Sequence, residues 1–304
     1  MLFKASKLPI APVMAILCGA FAACSPSSNL GEGMDLEEFD YSSTNLHIAC
    51  ARGTKAGAAG ATDGVKSSQG IRYNVRTPAN YDSAFAHPLL LVYAPAGASA
   101  SKNESLTRLT SAATKEGFII VYTSHRSMSI ETVNQLARLP KEVANTWCID
   151  LGRVYATGHS DGGTVSTAIA VLDETKGTVT GIAPSAAGFS KKDFETLKCP
   201  SSPMPVMVMH SKKDALFPGW GADAAAWWAA CNGCDLSKPP QTGGEPCVAY
   251  QGCATSGQTL YCEGEQSHSE WPGLSEDIIW FLRHCSGEGA PLICGVGGKN
   301  HPGG

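Results

Sequence analysis

Apolar positions along the chain fall into two kinds of run. Short, densely apolar stretches recur at residues 71–76, 89–93, 118–122, 154–157, 179–182, 205–210 and 259–262. Runs of this length, rich in β-branched and aromatic residues and bounded by turn formers, predict strands. Between them, apolar residues return at helical spacing over 104–115, 130–145, 162–172, 222–230 and 275–284, which predicts amphipathic or buried helices. Strands alternating with helices of this length imply parallel βαβ units. The expected fold is a single α/β domain over 45–285, with a mostly parallel central sheet and helices on both faces.

The two ends depart from this pattern. Lys4 and Lys7 precede an apolar run over 8–23 that ends in Ala22 and Ala23, followed at once by Cys24. A short positive region, an apolar stretch and small residues before the break are the marks of an export leader over 1–23. Phe21-Ala22-Ala23-Cys24 is similar to the cleavage box of bacterial lipoproteins, which implies Cys24 as a lipidated first residue of an outer-membrane lipoprotein, with ordinary secretory cleavage near Ala23 as the alternative. Any membrane partnership would then run through that lipid alone, because the run is short for a spanning helix. Residues 24–44 are rich in Ser, Gly and acids and read as a flexible linker. Residues 286–304 form a Gly-rich tail.

Composition narrows the function classes. With 43% hydrophobic residues and a formal net charge of −4, the chain has the balance of an ordinary globular protein. Lys and Arg are dispersed, so no nucleic-acid groove is expected. Twelve cysteines are present, and all but Cys18 and Cys24 lie beyond the leader, an even set that reads as a disulfide framework in an exported chain. Zinc is the competing reading, because Cys231-x-x-Cys234 with Cys247 and Cys253 could supply thiolates. The five residues between the second pair and the oxidising compartment both disfavour it, and no metal or organic cofactor is expected.

The chemistry concentrates in Gly158-His159-Ser160-Asp161-Gly162-Gly163, which follows the apolar run 154–157 and opens the helix predicted at 162. G-x-S-x-G between strand and helix is the setting in which a tight turn lifts a serine hydroxyl above a sheet. The helix start below it offers backbone N–H groups to a developing oxyanion. Such a serine needs a base, and the base an orienting acid. Asp214 lies in a turn just beyond the apolar strand ending at His210. His268 lies between the strand ending at Cys262 and the last helix. His284 and His301 sit at a helix end and in the tail. Ser160 as nucleophile, Asp214 as acid and His268 as base follow.

These pieces resemble the polyhydroxybutyrate depolymerase and feruloyl esterase group of secreted esterases, within the first carbohydrate esterase family. The resemblance runs over Cys148-Ile149-Asp150-Leu151-Gly152-Arg153 up to Ser160, then His210 to Pro218. It continues through Asn232-Gly233-Cys234, Tyr250-Gln251-Gly252-Cys253 and His268-Ser269-Glu270-Trp271-Pro272-Gly273. It implies an α/β-hydrolase fold and the same three residues, Ser160, Asp214 and His268. It also implies a Cys234–Cys253 disulfide, which leaves Cys231 and Cys247 as a second pair. In two places the chain departs from the group. The first oxyanion loop reads Tyr93-Ala94-Pro95-Ala96-Gly97 instead of His-Gly, and Pro95 has no N–H to give. Ala96, ahead of Gly97, is the expected donor beside Asp161. The stretch 124–147 does not follow the group's wording, and that region often lines the cleft.

The implied reaction is hydrolysis of a carboxylic ester, free or carried on a polymer. Feruloyl or acetyl esters of plant cell-wall polysaccharide are favoured over a polyester such as polyhydroxybutyrate, because no further substrate-binding domain is expected after His284. Trp220 and Trp271 are the expected substrate-binding aromatics, while Trp227 and Trp228 suit ordinary packing. The competing class is a surface-tethered binding protein on an inactive hydrolase scaffold. Only the altered oxyanion loop favours it.

Overall fold

A computed structural model describes residues 50–285. The leader, Cys24, the linker and the tail with His301 lie outside the described residues. In chain order the elements are β1 (Ala61–Lys66), β2 (Arg72–Arg76), β3 (His87–Tyr93), α1 (Ala100–Thr107), α2 (Thr110–Lys115), β4 (Ile119–Thr123), α3 (Ile130–Leu136) and α4 (Leu139–Thr146). They continue with β5 (Ile149–His159), α5 (Asp161–Val171), β6 (Gly181–Ser185), α6 (Lys191–Phe194), β7 (Val206–Lys213) and α7 (Trp220–Cys231). The last are β8 (Gln241–Thr242), β9 (Cys247–Ala249), β10 (Thr259–Ser267) and α8 (Ser275–His284). The strands form one sheet in the order β1-β2-β4-β3-β5-β6-β7-β10-β9-β8. From β4 to β10 every pairing is parallel, and the antiparallel pairings lie at the two edges. This is the α/β-hydrolase architecture expected from the motif.

Both faces of the central strands are buried, so their sequences read as near-continuous apolar runs. On β3, Leu89 and Leu91 point into one core with Val165 and Ile169 of α5 and Trp228 of α7. Leu90 and Val92 point into the other, with Phe118, Ile278 and Phe281. Helix α5 is buried along nearly its whole length, which is why the segment after Ser160 carries so few charges.

Two predicted helices are each divided. The one expected over 104–115 breaks at Arg108, whose φ of 51° ends α1 before α2 begins. The one expected over 130–145 breaks before α4, where Pro140 stands in the first turn, a place that tolerates its missing N–H better than a helix interior does. The short strands β1, β8 and β9 were not legible, because at the sheet edges half-exposed residues blur the alternation.

The cysteines among the described residues are bridged. Cys234 is bonded to Cys253 as the resemblance implied, but Cys231 and Cys247 do not form the second pair. Cys231, the last residue of α7, is bonded to Cys199 in the loop before β7. Cys247 is bonded to Cys262, because the antiparallel register of β9 and β10 sets those two residues opposite each other. Cys50 is bonded to Cys148, 98 residues away, and Cys285 is also disulfide-bonded. All four sulfurs considered for zinc are therefore held in disulfides.

Candidate active site

Parallel strands bring their C-terminal ends to one edge of the sheet, and the site is assembled there. In the register of β7 against β10, Lys213 faces Ser267. The next residue on each strand, Asp214 and His268, therefore leaves the sheet beside the other. Two strands away, β5 ends at His159, opposite Ser185 of β6, and the turn after it presents Ser160.

That turn is tight. Ser160 has φ 54° and ψ −116°, a region that costs a residue with a Cβ about 1–3 kcal/mol. Its N–H donates to the carbonyl of Ser185 at 3.0 Å. A Cβ on Gly162 would overlap the carbonyl of Tyr93, and one on Gly163 the carbonyl of Ser185. The ends of β3 and β6 thus press against the start of α5 from two sides, and only glycine fits there.

The three residues singled out in the sequence meet. Ser160 Oγ lies 2.9 Å from His268 Nε2, and His268 Nδ1 lies 2.7 Å from Asp214 Oδ2. The other carboxylate oxygen, Oδ1, accepts the N–H groups of Leu216 and Phe217, each at 2.9 Å. The Asp214 side chain is fully buried, while His268 keeps a fifth of its surface open. Burial alone would raise the pKa of Asp214. The bonds from His268 and from the Phe217 N–H outweigh it and hold the carboxyl below its ordinary range. Buried His210 braces the same loop, its Nε2–H donating to the Phe217 carbonyl at 2.9 Å.

After β3 the chain forms a turn in which the Ala98 N–H donates to the Pro95 carbonyl, while Ala94 donates to Thr123 Oγ1. Neither Ala96 nor Gly97 has its N–H engaged among the described residues. The amide of Asp161 is at the first position of α5, where no intrahelical acceptor exists. The region thus holds unengaged N–H groups of the kind an oxyanion requires.

Aromatic rings flank the imidazole. Phe217 meets His268 edge-on at 4.9 Å, and Trp220 stacks on Phe217 at 4.7 Å. Trp220 therefore reaches the site at one remove, through Phe217. Trp271 has its ring edge-on to His159 at 6.2 Å and packs partly against the second core.

Sequence reasoning missed four contributors. Phe217 lies inside the matching run His210 to Pro218 with no role assigned to it, and Ser185 lies in no motif. His125 lies in the stretch that departs from the group's wording, yet its Nε2 lies 2.9 Å from Asp161 Oδ2 and its N–H donates to the Ala98 carbonyl. His159 stood as an unassigned position inside the motif; burial lowers its pKa against the opposing bond to the His268 carbonyl.

A serine hydroxyl bonded to an imidazole, with a buried carboxylate on the far nitrogen, is an arrangement suited to nucleophilic attack on a carbonyl carbon. No family defined by sequence matches the chain. Feruloyl esterase B of Piromyces equi is 25% identical over 209 residues, 59% of this chain and 39% of that protein. The match thus spans well under half of that relative. Among solved structures, an acetyl xylan esterase from Aspergillus awamori superposes with TM-score 0.55 at 15% identity, covering 75% of this chain and 99% of that one. S-formylglutathione hydrolase (FrmB) from Staphylococcus aureus superposes with TM-score 0.52 at 12% identity, covering 74% and 98%. These likenesses bear on the fold, and they agree with the resemblance carried by the motifs.

Proposed function

We propose that this chain, an α/β-hydrolase of the first carbohydrate esterase family's type related to feruloyl and acetyl xylan esterases, is a serine esterase acting on carboxylic esters. The continuous path from Ser160 Oγ through His268 to Asp214 carries the reading. His268 Nε2 takes the hydroxyl proton as Oγ attacks the ester carbonyl, and Asp214 stabilises the imidazolium and fixes its tautomer. The N–H groups of Asp161 and Ala96 receive the oxyanion of the tetrahedral intermediate. His268 then gives its proton to the leaving alkoxide, and water repeats the cycle on the acyl-enzyme.

The favoured substrates are feruloyl or acetyl esters of cell-wall polysaccharide. The name of the sequence relative supports this, as does the Phe217–Trp220 pair beside the base, whose faces suit a phenolic or sugar ring. A polyester is the second reading, favoured by Leu216, 60% exposed two residues beyond Asp214. Purified protein should hydrolyse p-nitrophenyl acetate, and Ser160→Ala should lower kcat by roughly 10⁴–10⁶ with the fold intact. Methyl ferulate and acetylated xylan should be turned over faster than a polyhydroxybutyrate film. Preference for the film would reverse the substrate reading, and a folded protein inert on every ester would point to a binding protein.

A further inference from the structure

We propose that His159, the residue before the nucleophile, is a positioning residue that fixes the main chain of His268, with Ser185 setting its tautomer. The proposal rests on the reading of Ser160, Asp214 and His268 as the reacting groups. His159 is buried, only 4% exposed, and its Nε2 lies 2.6 Å from the carbonyl oxygen of His268. A carbonyl can only accept, so the proton of a neutral His159 is on Nε2. Nδ1 is then a lone pair, and the Ser185 hydroxyl, 3.0 Å away, donates to it.

Ser185 thereby does two things. Its carbonyl accepts the N–H of Ser160 at 3.0 Å, and its hydroxyl holds His159 in the tautomer that grips His268. Nucleophile and base are referred to one residue at the end of β6, although they lie 108 positions apart in the chain. No other hydrogen bond reaches the His268 carbonyl among the described residues. The Trp271 ring, edge-on to His159, restrains the imidazole from the side. The side chain of His268 is held by Asp214, and its main chain by His159. Without the second hold the loop after β10 is free to relax and to lengthen the Nε2–Oγ approach.

The test is steady-state kinetics on p-nitrophenyl acetate with the full chain and four variants. His159→Phe keeps an aromatic ring and removes the donor. It should lower kcat by about 10- to 100-fold, the loss expected for a displacement of about 1 Å, with KM within about twofold. His159→Gln, whose amide N–H reaches toward the same carbonyl, should recover most of that loss. Ser185→Ala should lower kcat by about 3- to 10-fold, because Nε2 is then no longer the enforced proton site. A folded His159→Phe enzyme at the wild-type kcat, a loss carried by KM, or a Gln variant no better than Phe would each overturn the proposal. Should His159→Phe fail to fold, Ser185→Ala decides, and an unchanged kcat or a second folding failure counts against it. Ser160→Ala separates the two readings: activity surviving there sinks the esterase assignment itself, whereas a dead Ser160→Ala beside a fully active His159→Phe sinks only the positioning role.

Discussion

At Asp214 two opposing effects meet on one carboxylate. Its side chain is fully buried, and an ionised carboxylate in that position would be costly without partners. It accepts three hydrogen bonds, one from His268 and two from the amides of Leu216 and Phe217, and those from His268 and Phe217 outweigh the cost and leave its pKa below the ordinary 3.8. The loop is therefore built for the charged form, and the role of that charge is to hold Nδ1–H of His268 in place. Asp214→Asn should keep the fold but present an amide that can turn its NH₂ toward Nδ1, favouring the wrong tautomer. We expect kcat to fall by about 10⁴, read in the same ester assay; a loss below tenfold would remove Asp214 from the mechanism. Ser160, Asp214 and His268 were legible because each sits where a strand predicted from its apolar run gives way to a turn. Phe217, Ser185 and His159 were not, since their value lies in contacts across strands that no local pattern encodes.

Elements set these residues in place, and several motif positions serve the scaffold instead of the chemistry. Asp150 and Arg153 fold the start of β5, with Arg153 Nε 2.7 Å from Asp150 Oδ2 and the Gly152 N–H on Oδ1. Asn232, at the end of α7, is buried and bonds both the N–H and the carbonyl of Met204 and the hydroxyl of Thr259. It thereby ties α7 to the entries of β7 and β10, the two strands that deliver Asp214 and His268. Asn232→Ala would leave buried backbone groups of Met204 without partners. A loss of about 2–4 kcal/mol is expected, measured as a lowered urea midpoint with kcat of the folded fraction little changed. A midpoint equal to wild type would show that Asn232 is not a brace. The central strands were readable because both faces are buried. The helix breaks were not, because the left-handed turn at Arg108 has no glycine to announce it. The edge strands are too short and too exposed to show a period.

Over the whole molecule, pH acts through groups whose proton affinity changes on folding. His159 is buried with its pKa lowered from 6.5, chiefly by desolvation, and Asp214 is lowered from 3.8. For each, the folded pKa is below the unfolded one, so the stabilisation is complete above the unfolded value and is lost as pH falls through the folded one. Between about pH 6.5 and pH 9 the melting temperature should therefore be level, and it should decline below that range, first through His159 and then through Asp214. His159→Gln should remove the upper part of that decline; a melting curve unchanged by the substitution would contradict this. The even cysteine set foretold bridges, but local spacing could not foretell partners. Cys247 meets Cys262 through strand register, and Cys50 meets Cys148 across a third of the chain. One measurement bears most directly on the central claim: labelling of the intact protein with a fluorophosphonate, followed by peptide mass mapping. A single adduct on Ser160, formed in step with loss of ester hydrolysis and absent from Ser160→Ala and much slowed in His268→Ala, is the expected result. An adduct on another serine, or hydrolysis that persists once Ser160 is fully labelled, would contradict the account.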